Sequence, residues 1–132
     1  MSKVSTIHQT VTLPAPPNIV YKTLVDAKAH ARFSGHPAQL TAKPGGRFSH
    51  YGGALGGFVV LLQKNRRIVL AWRASSWAEG DYSIADFVLT KVANGTRVEF
   101  TQSGVPTASA KSIASGWHEH YWAPLSKFLA RD

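Results

Sequence analysis

The stretch Ile113-Ala114-Ser115-Gly116-Trp117-His118-Glu119-His120-Tyr121-Trp122-Ala123-Pro124-Leu125-Ser126-Lys127-Phe128-Leu129 decides the fold. Ile113, Trp117, Tyr121, Leu125, Phe128 and Leu129 recur at three- and four-residue steps, which sets them on one stripe of an α-helix. The pattern predicts a helix over about 111–131. Pro124 lies inside it and has no N–H for the carbonyl of His120, so a kink or irregular turn is expected nearby. A helix this apolar along one side needs a surface to cover it.

The preceding chain supplies that surface as strands. Ile7, Val11 and Leu13 share one parity and His8, Thr10 and Thr12 the other, the mark of a half-buried strand. Pro14, Pro16 and Pro17 end it, and Pro17 suits a first helical position. Ile19, Val20, Tyr21 and Leu24 follow at helical spacing, and a second short helix over 27–33 is closed by Gly35 and Pro37. Ala38, Leu40 and Ala42 then alternate with polar residues. Pro44-Gly45 predicts a type II turn, with Gly at the position needing positive φ. Segments 47–51 and 54–63 flank Gly52-Gly53, Lys64-Asn65 makes another turn, and 66–73 carries Ile68, Val69, Leu70 and Trp72. Asn94-Gly95 joins 81–93 to 96–102 as a type I′ hairpin. A two-residue loop there sets Leu89 opposite Phe100 and Phe87 opposite Gln102. Phe87, Leu89, Val98 and Phe100 then share an apolar face, and Thr90, Val92, Arg97 and Glu99 the other. Short turns between strands require antiparallel pairing. The expected class is α+β: a curved antiparallel sheet of six or seven strands gripping a long C-terminal helix, with one or two short helices after the first strand.

The 132 residues fit one domain, 1–132, and the 44% apolar and 17% charged content argues against disorder. Four Trp, four Tyr and six Phe call for a core, a pocket or both. The absence of cysteine removes disulfides, Cys-ligated zinc and thiol nucleophiles. Residues 1–9 show no signal-peptide pattern, and the longest apolar run, Phe58-Val59-Val60-Leu61-Leu62, is too short for a membrane span. A cytoplasmic location is therefore expected. The net charge is +8, yet Arg66-Arg67 is the one adjacent basic pair and the other positives are spread singly from Lys3 to Arg131. That distribution reads as a solvated surface, and no nucleic-acid partner is expected.

Several motifs resemble one family. Lys43-Pro44-Gly45-Gly46-Arg47-Phe48 resembles a turn of the START-like (helix-grip, SRPBCC) superfamily. More closely it is similar to the family related to the activator of heat-shock protein 90 ATPase. Ala71-Trp72-Arg73 with Ser76-Trp77-Ala78-Glu79-Gly80 resembles a segment of the activator's C-terminal domain. So do Gly95 through Pro106, with Ser103-Gly104-Val105-Pro106 at the exit, and the pairs Gly116-Trp117 and Tyr121-Trp122. The resemblance runs from Ile7 to Leu129 in matching order and implies the helix-grip fold. The superfamily includes lipid-transfer and hormone-binding proteins and cyclases. In that family the eukaryotic activator carries a further N-terminal domain, and the resemblance implies that residues 1–132 are expected to correspond to the C-terminal domain alone.

Candidate site residues are mainly aromatic. Tyr51, Phe58, Trp72, Trp77, Tyr82, Trp117 and Tyr121 are expected to wall a cavity between sheet and helix, or to fill it themselves. Trp77 lies in a polar loop and reads either as a lid or as a partner contact. Phe33, His36 and Trp77 form the expected gate, with His36 alternatively an exposed loop residue. Asp86 reads as a candidate base if buried, or as the partner of an Arg on the outer face. His118 and His120 are two apart, about 200° around a helix, and cannot share a metal. No metal site, cofactor motif or catalytic motif is found. The expected partner is a small hydrophobic or amphipathic molecule, with a chaperone protein as the alternative through an exposed Arg66, Arg67, Arg73 and Trp77 patch. The protein is expected to be a monomer or homodimer, and a cyclase-type enzyme is the third reading.

Overall fold

The computed structural model describes residues 3–130. Strand β1 (Val4–Leu13) is followed by helices α1 (Pro17–Val25) and α2 (Ala27–Ser34). Then come β2 (Gln39–Leu40), β3 (Arg47–His50), β4 (Leu55–Gln63), β5 (Arg67–Ala74), β6 (Ser83–Val92) and β7 (Gly95–Pro106). The C-terminal helix runs through α3 (Thr107–Trp117), a π turn (His118–Trp122) and α4 (Ala123–Leu129). It begins four residues before the expected start, and the expected end at Arg131 lies outside the described residues. The seven strands form one antiparallel sheet in the order β1-β7-β6-β5-β4-β3-β2. Among the described residues, no helix is long and apolar enough to cross a membrane.

Local chemistry explains these elements. Pro16 and Pro17 open α1, where a missing N–H costs nothing. Asp26 ends α1 and caps α2, its carboxylate accepting from the Ala29 N–H at 3.3 Å. The Lys43–Gly46 turn is type II as expected: the Gly46 N–H donates to the Lys43 carbonyl at 2.8 Å, and Gly45 has φ 82°. The apolar face of β6 and β7, formed by Phe87, Leu89, Val98 and Phe100, is buried beneath Trp117, Tyr121, Trp122 and Leu125 of the helix. Helix and sheet thus shield each other's apolar side from water.

The β6–β7 register corrects the expectation. Phe87 pairs with Phe100, Leu89 with Val98, and Val92 with Gly95, so the turn is Ala93-Asn94. The slip is two residues, which preserves every side chain's face. Its cause lies in β1. A Cβ on Gly95 would sit 2.0 Å from the Leu13 carbonyl oxygen, and Gly95 has φ 142°. The glycine serves the close approach of β1 and begins a strand instead of completing a turn. Gly95→Ala is accordingly expected to destabilise by at least about 2 kcal/mol, and Asn94→Ala by less than about 1 kcal/mol. Urea denaturation of the two variants checks this; equal losses would show that Gly95 is an ordinary turn residue.

Candidate functional site

The C-terminal helix is irregular where it crosses the corner between β3 and β4. Pro124 has no N–H to offer the carbonyl of His120, and the Ala123 N–H reaches five residues back to His118, making the π turn. The freed His120 carbonyl is taken by the Tyr51 hydroxyl, which donates to it from the opposite wall. Tyr51 sits at φ 54°, an unfavourable value for a bulky residue, and Gly52 follows at φ 65°. This hydrogen bond therefore anchors a strained corner to the helix. Tyr51→Phe is expected to cost about 1 kcal/mol. In a Pro124→Ala background, whose new N–H can serve His120, the cost should fall close to zero. A double-mutant cycle measures the coupling, and additive losses would refute it.

Beside that corner lies a buried polar cluster. The Tyr121 hydroxyl is 3.0 Å from His30 Nε2 and 3.1 Å from His50 Nδ1. The two imidazoles stack with centroids 3.6 Å apart and planes at 19°. Burial pulls His30 down from the usual 6.5 to about 4, a contact with its own backbone opposing the shift. Burial, then repulsion from His30, holds His50 well below 6.5. Burial pushes the Tyr51 phenol up to about 12. Burial, then Tyr51, holds Tyr121 well above 10. At pH 7 both rings are neutral and both phenols protonated.

Next to the cluster opens a cleft of about 430 Å³ between the helix and the β3–β4 corner. Leu55, Trp72, Ile113 and Trp117 give it apolar walls, Tyr51 and Tyr121 stand at one end, and Ser112, Ser115, Glu119 and His120 supply polar groups. Beneath it is a void of about 10 Å³, room for about one water. Trp72, Trp117 and Tyr121 border both spaces. Trp117 is fixed by a buried chain: its Nε1 donates to Gln102 Oε1 at 2.8 Å, Gln102 Nε2 to Ser83 Oγ at 2.9 Å, and Ser83 Oγ to the Trp72 carbonyl at 2.8 Å.

Four of the nine sequence-derived candidates thus meet at the cleft: Tyr51, Trp72, Trp117 and Tyr121. Phe33 is buried on α2 against His30, at 4.6 Å between centroids, and 5.8 Å from Tyr121. His36 is exposed, its ring 5.1 Å from Tyr51. Trp77 is 8% exposed and packs edge-on against Trp72 at 5.5 Å. Arg73 Nη2 donates to the Trp77 carbonyl at 2.7 Å, and Arg67 makes a two-point pair with Asp86 at 2.7 and 3.0 Å. Hence the proposed Arg66, Arg67, Arg73 and Trp77 patch does not form: the Trp is inside and two of the arginines are engaged. The same pair places Asp86 with its Arg and not as a buried base. Phe58 and Tyr82 do not reach the cleft. They are 40% and 42% exposed and lie together on the outer face, 5.7 Å apart, because strand alternation turns them away from Val59 and Ser83. Sequence reasoning missed His30 and His50. The signal was present in His30 three residues before Phe33 on α2 and in His50 sharing the inward parity of Phe48 on β3.

Comparison with known proteins bears on this architecture. The family model described as "Activator of Hsp90 ATPase homolog 1-like protein" matches residues 14–130. An uncharacterized protein of Schizosaccharomyces pombe is 31% identical over 119 residues, covering 90% of this chain and 35% of that protein. The Homo sapiens activator of 90 kDa heat shock protein ATPase homolog 1 is 25% identical over 116 residues, covering 88% and 34%. The chain thus spans about a third of the length of these curated relatives. Among solved structures, an HSP90 activator from Plasmodium falciparum superposes with a TM-score of 0.89 at 25% identity, covering 95% of this chain and 96% of that one. A Rhizobium leguminosarum protein shares the fold, with a TM-score of 0.78 at 20% identity over 100% of this chain and 98% of that one.

Proposed function

Since the chain belongs to the Activator of Hsp90 ATPase homolog 1-like family, we propose that it acts as one START-like domain of the cytoplasm that binds a small hydrophobic or amphipathic molecule between sheet and C-terminal helix. The observation that carries this reading is the cleft of about 430 Å³, apolar on its walls and polar around them. Its size and lining suit ligand pockets, which span roughly 300–1,000 Å³ with a few placed polar groups. Trp72 and Trp117 would cover a flat apolar body. Tyr51, with His36 beside it, forms one lip, where Phe33 backs Tyr121. Trp77 backs Trp72 from behind.

The test is uptake of an amphipathic fluorophore, 1-anilinonaphthalene-8-sulfonate, by the folded protein. Leu55→Trp and Ile113→Trp fill the cleft and are expected to weaken uptake at least tenfold without lowering Tm. Undiminished uptake by both variants would place the dye elsewhere and sink the reading. Native mass spectrometry of the purified protein should show a mass excess that disappears on denaturation.

A second reading is a chaperone-associated interaction module. It is supported by the match of fold and length to the Plasmodium falciparum HSP90 activator. Capture of a heat-shock protein 90 homologue at low salt tests it, since a chain of net charge +8 would find an acidic partner most readily there. Failure to bind under those conditions would remove it.

A further inference from the structure

The outer face of the sheet carries a recess of about 340 Å³ that shares no lining residue with the cleft. Strand register explains it. Arg47 on β3 pairs with Phe58 on β4, Phe58 with Ala71 on β5, and Ala71 with Ile84 on β6. In the neighbouring row Ser49 pairs with Gly56, and Gly56 with Arg73. Phe48, Val59, Trp72 and Ser83 are the buried residues of these strands, so strand alternation turns both rows outward. Gly56 puts no side chain between Ser49 and Arg73, and the recess opens over it.

The chemistry of the recess has one sign. Gln39, Arg47, Ser49, Arg73, Ser75 and Tyr82 supply its polar side chains, and no carboxylate lines it. Among the described residues neither Arg47 nor Arg73 has an acid within salt-bridge distance, whereas Arg67 on the same face is paired with Asp86. Arg73 is fixed by carbonyls instead. Its Nη2 donates to Trp77 at 2.7 Å and to Ala78 at 3.3 Å, and its Nε to Asp81 at 3.3 Å. Its guanidinium lies 5.9 Å from the centre of the Tyr82 ring. Neutral carbonyls orient a guanidinium without cancelling its charge, so the cation stands pre-placed for an anion.

An apolar strip adjoins the recess. Phe58, Val60, Tyr82 and Ile84 are four of the six large hydrophobic residues exposed among the described residues, and Phe58, Tyr82 and Ile84 lie along the rows that hold the arginines. Between β4 and β6 the outward residues Val69 and Ala71 of β5 are buried, so the strip is continuous across the sheet. Clustered exposed apolar residues beside unpaired cations mark a contact surface for a protein of opposite charge. We infer that this face docks an acidic peptide segment of a partner protein. A carboxylate enters the recess between Arg47 and Arg73, and a neighbouring apolar side chain lies on Phe58, Tyr82 and Ile84. A free inorganic anion would use the arginines and leave the strip uncovered. The inference depends on neither reading above, since the cleft lies on the opposite face and no particular chaperone is invoked.

Amide NMR titration of the full chain at low salt tests it. The probes are a peptide with aspartates flanking a central phenylalanine, the same peptide with asparagines for the aspartates, and inorganic phosphate. The aspartate peptide is expected to move the amide resonances of Ser49, Gly56, Arg73 and Tyr82 and to leave those of Ile113 and Trp117 in place. Arg47→Gln should weaken it about fivefold, and Phe58→Thr about threefold. Arg66→Gln removes the same charge away from the recess and should change the affinity by less than about twofold. Phe58→Thr should leave the affinity for phosphate unchanged. Shifts spread over the basic surface, equal binding of the asparagine peptide, or equal losses in Arg47→Gln and Arg66→Gln would overturn the inference. So would phosphate binding as tightly as the aspartate peptide, which would show an anion site alone. None of these outcomes bears on dye uptake by the cleft, which stands or falls separately.

Discussion

Replacing Trp117 by alanine is expected to destabilise the protein by about 4 kcal/mol, within the range for removing a large buried aromatic. The ring is 3% exposed and meets Phe100 at 4.3 Å, Tyr121 at 4.4 Å, Trp122 at 5.6 Å and Phe87 at 5.7 Å between centroids. It joins helix to sheet, so the cavity left behind lies where neither element can close it alone. Part of the loss is polar. Trp117 Nε1 is the donor to Gln102 Oε1, and Gln102 is fully buried. Trp117→Phe keeps most of the ring contacts and strands that oxygen, at a cost of about 1–3 kcal/mol. Adding Gln102→Leu removes the stranded oxygen and should recover about 1 kcal/mol. Urea titrations followed by circular dichroism rank the three variants. A double variant less stable than Trp117→Phe would show that packing, and not this hydrogen bond, sets the loss.

The fold was legible because periodicity survives local error. The parity of Phe87, Leu89, Val98 and Phe100 puts them in the core under either hairpin register, since the two registers differ by two residues. What the sequence could not reveal was which neighbour the glycine at 95 accommodates. Asn94-Gly95 carries the usual chemistry of a type I′ turn, yet the deciding contact is with Leu13, 82 positions earlier in the chain. Pro124 announced an irregular helix, and its consequence was within reach of sequence reasoning. The identity of the group that takes the freed His120 carbonyl was not, because Tyr51 lies 69 residues away.

The site was legible only in part, for a related reason. Aromatic content alone does not say which face a side chain takes. Counting by twos does: Phe87, Ala85 and Ser83 point inward, which sends Tyr82 outward, and the same count from Val59 sends Phe58 outward. His30 and His50 obey the apolar patterns of α2 and β3 so closely that each reads as a core substitution of no consequence. Only their meeting at Tyr121 turns them into a site, and that meeting depends on three elements separated by helix and sheet packing.

The second large effect is acid sensitivity. Folding stability should be fully present above about pH 6.5 and fall as the pH drops toward 4. Both imidazoles are held below their unfolded value by burial. Between the folded and unfolded values the unfolded chain binds more protons, so stability falls as pH falls. For His30, displaced from 6.5 to about 4, linkage gives about 3 kcal/mol over that window. His50 acts in the same direction. The groups facing the pair are the phenols of Tyr121 and Tyr51, with His36 beyond Tyr51. Among the described residues no carboxylate lies within salt-bridge distance of either ring. A proton arriving on one ring therefore meets a stacked imidazole at 3.6 Å and no counter-charge. Urea midpoints measured from pH 7.5 to 4 should show the loss in the wild-type chain. His30→Phe, which leaves a single imidazole free of its neighbour's repulsion, should show a flatter profile. If the two profiles run parallel, proton uptake by the stacked pair is not what unfolds the protein.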